Sequence, residues 1–448
     1  MIVSSQLSTR AVVRLLGLYL ILVAYSAAYE YFYATQLTPL FHDEYTDFDF
    51  MKLDIYRQLC FLTPLAILPI GTRLRAASQL IVAAAAVFIF IPIPIVFLAI
   101  VPATEFWQIY TLLWLTYFIV CALASQSVAL RPPRLSEHEY SLLLLSFYLL
   151  AGLGFLYCVS TNHFQIVSLD KAHAAQADVT VKGWQGYLLV GFGGSFGGLL
   201  IALAVMYRKY YLLPLVLLGY YCCYGMLSER VAVLMPFWIA YIYFAHRWFF
   251  RDSIIRYVLT VMAPFAVFTS MALMLGLEDR TSSFYDIFTL ANYRLYSVPA
   301  ISFNVYYNYF ALHPHTYWSH IGFISNFVHY PYGQPLAAVM ADAYSLGNDN
   351  ASFIETDGLA AAGPLAMPFA GVMFGLVMVG VNSCLRGLNR TLWAIVMAAA
   401  SVNLIDVPIG PGLITNGLLL MSILLLLAPR DARWNLRYLN PSPQLAAP

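Results

Sequence analysis

Four histidines, His313, His315, His320 and His329, fall in a stretch crowded with Tyr, Phe and Trp. A histidine near its reference pKa of about 6.5 is partly neutral at ordinary pH and can accept a proton. His313 and His320 stand seven residues apart, so they share one face of a helix if that stretch is helical. No third ligand stands at a metal-binding spacing, so no metal is expected, and no cofactor motif is present. Asp357, followed by Gly358, is a further proton acceptor or the cap of a coming helix. Two arginines are placed for a different task. Arg230 sits between two apolar runs and Arg294 within the aromatic stretch, and a guanidinium presents paired donors that match phosphate oxygens. Each arginine also has an ordinary reading. Arg230 is then a turn residue snorkelling to water or pairing with Glu229, and Arg294 an interfacial anchor. Tyr306, Tyr317 and Trp318 offer flat apolar faces for sugar rings, and the same aromatics suit a membrane–water interface.

These residues must be positioned by elements that live in lipid. The chain has 448 residues, 61% hydrophobic and 10% charged, against about 25% charged in an average soluble domain. The apolar residues come in runs of roughly 20, enough for a helix to cross about 30 Å of hydrocarbon. Twelve spans are expected, at 11–33, 55–71, 77–100, 106–130, 140–160, 186–206, 211–227, 231–249, 254–276, 364–384, 391–409 and 412–428. Pro92 and Pro94 should kink the third. Ser26-Ala27-Ala28 has the look of a signal-peptidase site, but the apolar run before it is longer than a signal core, so the first span is read as an anchor. All six cysteines fall in spans, which excludes a disulfide framework, and no P-loop or GxGxxG is present. The expected class is all-α and polytopic. Residues 1–276 form a bundle of about nine helices, 277–363 a large outer loop with amphipathic segments, and 364–448 the last helices and a short tail.

Lys and Arg are retained on the cytoplasmic side. With the N-terminus inside, sixteen of the 23 basic residues, from Arg10 and Arg14 to Arg430, Arg433 and Arg437, lie inside. Both termini are then cytoplasmic and the 277–363 loop faces out. Two other outer segments carry charge. Residues 34–54 hold His42, Asp43, Glu44, Asp47, Asp49 and Asp54, and residues 161–185 hold Lys171, His173 and Lys182. The acids in the first have two readings, a carboxylate motif like that of many glycosyltransferases or, the favoured one, what positive-inside sorting leaves behind, and the second segment carries no assignable chemistry.

The order of features resembles the O-antigen polymerase family, the Wzy-type oligosaccharide repeat unit polymerases, over most of the chain. FHDEYTDFDF (Phe41 to Phe50) and LPIGTRLRAAS (Leu68 to Ser78) look like the family's first outer loop and second helix. GYYCCYGMLSERVAVL (Gly219 to Leu234) looks like its helix, tight outer turn and returning helix. The closest likeness is in the large loop, which runs RLYSVPA (Arg294 to Ala300), YYNYFALHPHTYWSH (Tyr306 to His320), YPYG (Tyr330 to Gly333) and NASFIETDGLAAAGPLAM (Asn350 to Met367).

The resemblance implies a GT-C-like architecture in the bacterial inner membrane and a glycosyl transfer on the periplasmic face. A growing glycan leaves undecaprenyl pyrophosphate and joins the terminal sugar of a new lipid-linked unit. The leaving pyrophosphate is already stable as an anion, so the site needs cationic forks and one base. On that expectation Arg230 and Arg294 hold the pyrophosphate. His313, His320 and Asp357 are the proton-handling set, and Tyr306, Tyr317, Trp318 and Asn350 face the sugars. The partners implied are the lipid-linked oligosaccharide and the bilayer, with a chain-length regulator left open. O-antigen ligases share the general plan, so ligation of finished glycan is the nearest alternative. A flippase is the alternative from another class, but it asks for charge through the bilayer and two similar halves, and neither is visible.

Overall fold

The computed structural model describes residues 8–41, 46–130, 135–161, 164–167, 183–276, 283–322, 324–344 and 354–429. Among them there is no strand, only one isolated antiparallel bridge between Arg73 and Ser253. Among the described residues ten helices are long and apolar enough to cross a membrane. They are α1 (Thr9–Leu40), α2 (Phe50–Ile70), α3 (Ser78–Ile100), α4 (Ala103–Leu123), α5 (Glu137–Thr161), α6 (Trp184–Met206), α7 (Tyr210–Leu227), α9 (Ile254–Leu275), α14 (Pro364–Leu385) and α16 (Ile409–Leu427). Between them lie α8 (Arg230–Ala245), α10 (Ser283–Tyr296), α11 (Val298–Phe310), α12 (Leu336–Tyr344), α13 (Ile354–Ala362) and α15 (Arg390–Asp406). This is the architecture of a polytopic membrane protein.

Twelve spans were expected, and the two runs outside these ten form shorter helices. The run read as 391–409 is the short helix α15, in which Leu392 and Ala394 to Ala400 are all buried. At 17 residues it is shorter than the ten, and burial does not set it apart from a crossing, since α3 is enclosed as well. The run read as 231–249 is α8, of 16 residues, about 24 Å at 1.5 Å per residue. It continues as a π-helical turn, His246–Phe250, that brings in His246 and Arg247. Just before Pro92 and Pro94 the helix opens into the π-helical turn Ala86–Phe90.

Packing divides the chain into two units, each assembled from separate stretches. The first comprises Met1–Gln126, Asp252–Val379 and Leu404–Ile409; the second comprises Ser127–Arg251, Gly380–Asn403 and Gly410–Pro448. At the heart of the first unit is α3, buried at every position from Ser78 to Leu98. It is enclosed by α9 and α11, with α2 and α4 also against it. Apolar side chains all round a helix require neighbours all round it. In the second unit α6 packs through glycines. A Cβ at Gly198 would lie 2.4 Å from the Ala399 Cβ, and one at Gly197 would lie 2.7 Å from the Tyr220 hydroxyl. Only a small residue permits that approach, which is how helices gain contact where lipid offers no hydrophobic drive. All six cysteines are free.

Candidate functional site

The aromatic stretch folds within the first unit as two helices, α10 and α11, followed by a run of turns from Ala311 to His320. The expectation that His313 and His320 share a helix face is therefore not met. Pro314 has no N–H to continue α11, and the residue before a proline is steered away from the helical region. The chain instead folds back so that the N–H groups of Thr316 and Tyr317 donate to the carbonyls of Ala360 and Ala361 at 2.8 Å each. Those carbonyls belong to the last turn of α13, which lacks internal donors. Tyr317 and Trp318 take left-handed backbone conformations, with φ of +47° and +68°. Successive non-glycine residues there hold only where the surroundings over-determine them.

That fold-back brings two of the sequence candidates together. His320 Nε2 lies 3.4 Å from Asp357 Oδ1, with both side chains almost fully enclosed. On its other edge His320 Nδ1 is 2.7 Å from the Thr316 hydroxyl, which in turn donates to the Ala360 carbonyl at 3.0 Å. The second Asp357 oxygen accepts the backbone N–H of Ile409 at 3.0 Å. Asp357 thus caps the first residue of α16, whereas the cap foreseen in the sequence was for the helix following Asp357 itself. Gly358 is what lets the carboxylate reach this place. A Cβ there would stand 2.7 Å from Met367 Cα and 2.8 Å from Met367 N, so only glycine allows α13 to lie this close to the start of α14.

His313 has different surroundings. It lines an open cavity of about 650 Å³ with Tyr309, Tyr332, Gln334 and Asp342. Its ring is stacked on Tyr309 at 3.9 Å and 4°. Its Nδ1 is 2.8 Å from the Tyr309 carbonyl oxygen, an atom that can only accept, so Nδ1 carries the proton and donates. In the neutral ring Nε2 then holds the lone pair. The cavity wall is braced. Tyr332 donates its hydroxyl to the Pro314 carbonyl at 2.6 Å, Tyr330 donates to the Gln334 carbonyl at 2.9 Å, and Gln334 Nε2 donates to Asp342 Oδ2 at 2.6 Å. Burial, with Tyr309 adding to it, pushes the Tyr330 hydroxyl up to about 12, so it is a protonated donor.

The remaining candidates scatter. Tyr306 is 1% exposed and packs inside α11's contacts, so its ring is not available to a sugar; Tyr309, one turn on, takes the cavity position. Tyr317 is 63% exposed, and Trp318 rests edge-on against Phe369 at 5.6 Å. Arg294 is exposed, with its guanidinium 5.0 Å above the Tyr293 ring, and Tyr293 is itself stacked on Phe41 at 4.4 Å. Arg230 opens α8 and belongs to the second unit. Asn350 and the acids Asp43 and Glu44 lie outside the described residues. Among the described residues no three His, Cys, Asp or Glu side chains are grouped as metal ligands. Tyr309, Tyr332, Gln334 and Asp342 were not singled out from sequence; Tyr309 and Tyr332 lie inside the quoted motifs, but nothing in spacing alone says that they converge. No protein-family model, curated protein or solved structure matches the chain.

Proposed function

We propose that the chain polymerises undecaprenyl-pyrophosphate-linked oligosaccharide repeat units, as a Wzy-type glycosyltransferase of GT-C-like architecture in a bacterial inner membrane. The observation that carries the reading is His313, held in one tautomer at the wall of an aromatic cavity whose volume, about 650 Å³, is in the range of small-ligand sites. Aromatic rings beside phenol, amide and carboxylate groups suit a saccharide, which presents apolar faces and a rim of hydroxyls.

In this reading an acceptor sugar hydroxyl binds in the cavity with its proton toward His313 Nε2. Its oxygen attacks the anomeric carbon of the growing glycan as the bond to the lipid pyrophosphate breaks. The electron pair leaves with the pyrophosphate, and the proton passes to His313. Arg294, exposed and resting on Tyr293, supplies a cationic fork to the leaving group. Arg230 has its assignment from the resemblance alone. His320 and Asp357 are too enclosed to touch a sugar and act as positioning residues. They lock the 311–320 turns to α13 and so fix where His313 stands.

The periplasmic placement of this site rests on the distribution of basic residues. It requires that α8 with its π-helical turn, and α15, cross along with the ten longer helices, and those twelve crossings keep both termini on the cytoplasmic side. Deleting the gene in its host and running the surface glycan on a gel tests the reading. A single repeat unit attached to its acceptor is the result expected; loss of all repeat units with lipid-linked polymer accumulating inside would mean a ligase.

A further inference from the structure

A second cavity of the first unit has an unusual charge. Arg10 and Arg14 stand four residues apart on α1 and so share one face of it. Arg73 and Arg75 lie in the short connection between α2 and α3. All four line one cavity of about 640 Å³, and among the described residues no acidic one lines it. The first acidic residue in the sequence is Glu30. Arginines that serve only to set orientation need not converge, because the sorting rule counts them without regard to position on the surface. Four like charges around one space repel each other, and an anion is what relieves them.

The connection that presents Arg73 and Arg75 is fixed in advance. The buried Gln79 carboxamide accepts from the backbone N–H groups of Arg75 at 2.6 Å and Ala76 at 2.9 Å, and donates to the Ile70 carbonyl at 2.6 Å. From the opposite side, Leu74 N–H donates to the Asp252 carbonyl at 2.8 Å and Ile254 N–H to the Thr72 carbonyl at 3.1 Å. Gly71, at φ +80°, makes the turn that a side chain would strain. A loop pinned on both flanks has lost its freedom before any ligand arrives, so binding does not bear that cost. Guanidinium forks held this way match the oxygens of a phosphate.

We propose that this cavity binds the phosphate headgroup of an anionic membrane lipid. The cavity lies where α1 begins and α2 ends, at the ends of two apolar helices. From the same end of α1 runs a strip of exposed apolar side chains, Val12, Val13, Leu16 and Leu20, each about half exposed. A headgroup among the four arginines would leave its acyl chains along that strip, a fit that free phosphate does not use. The inference is independent of the polymerase reading, since it concerns neither the His313 cavity nor its chemistry.

The test is thermal unfolding and native mass spectrometry of the purified full chain in detergent, with phosphatidylglycerol, cardiolipin, phosphatidylcholine, inorganic phosphate and pyrophosphate as separate additions. Phosphatidylglycerol and cardiolipin should bind and stabilise well beyond phosphatidylcholine. The double variant Arg73→Gln with Arg75→Gln should weaken that binding roughly 30-fold, from the usual contribution of a basic residue near an anionic surface. Where that variant does not fold, wild-type protein at raised ionic strength gives the same reading, since screening should erase the preference for anionic lipid. Equal binding of phosphatidylcholine, or a preference untouched by both the substitutions and salt, overturns the proposal. Equal stabilisation by inorganic phosphate or pyrophosphate would assign the cavity to a soluble anion and overturn the lipid part.

Discussion

His320 Nε2 and Asp357 Oδ1 face each other at 3.4 Å inside the first unit, the histidine tied to Thr316 and the aspartate to the N–H of Ile409. The separation is longer than an ideal hydrogen bond of about 2.7–3.2 Å, so the buried Nε2 has the carboxylate as a close neighbour but makes no hydrogen bond. Three segments distant in sequence, the 311–320 turns, α13 and the start of α16, depend on this one contact.

Removing one member should therefore cost more than its own share. Asp357→Asn and His320→Gln are each expected to destabilise by about 3–5 kcal/mol, the usual penalty for stranding one member of a buried pair. The double variant should lose clearly less than the sum. Thermal unfolding of the four proteins in one detergent checks this, and losses that simply add would show the two residues to be uncoupled.

His313 should separate from that pair by its phenotype. His313→Gln removes the Nε2 lone pair from a ring position that is largely exposed, so the fold should persist while turnover drops by about 10²–10⁴, the range for a lost general base. Polymerisation of synthetic lipid-linked units at matched protein level measures it. Wild-type turnover in this variant would remove His313 from the reaction.

Glu229 gives a pH signature in the second unit. It stands in the turn between α7 and α8, where burial of its carboxyl pushes it up to about 7 from an ordinary value of about 4.3. Between those two values the folded chain holds a proton that the unfolded chain has released. Stability accordingly falls as pH rises through this window, by up to about 3 kcal/mol, and is flat above it. Glu229→Gln should flatten the slope and raise the melting temperature at pH 8. An unchanged pH profile in the variant would place the titration elsewhere.

Topology is open to direct measurement. Alkaline phosphatase fused after Asn304, in α11, should be active, and fused after Arg386, just past α14, inactive. The reverse pattern would put the His313 cavity in the cytoplasm and end the polymerase reading.

Several features of this protein follow from the sequence alone. Runs of some 20 apolar residues have no stable place but a bilayer or a helix core, so the all-helical membrane architecture is legible without coordinates. His313 and Asp357 stand out for a similar reason, as titratable groups in surroundings that favour apolar side chains. Tertiary structure alone decides which apolar runs meet lipid. α15 and a lipid-facing span have the same composition, because protein interior and hydrocarbon select the same side chains. It also decides that His320 meets Asp357 while His313 does not. Pro314 breaks the helix that would have put both histidines on one face, and Gly358 lets α13 approach the backbone at Met367. The four arginines make the same point. Composition counts them, but only the fold brings Arg10 and Arg14 of α1 to the connection that carries Arg73 and Arg75, because contacts between distant segments are set by packing that no local pattern encodes.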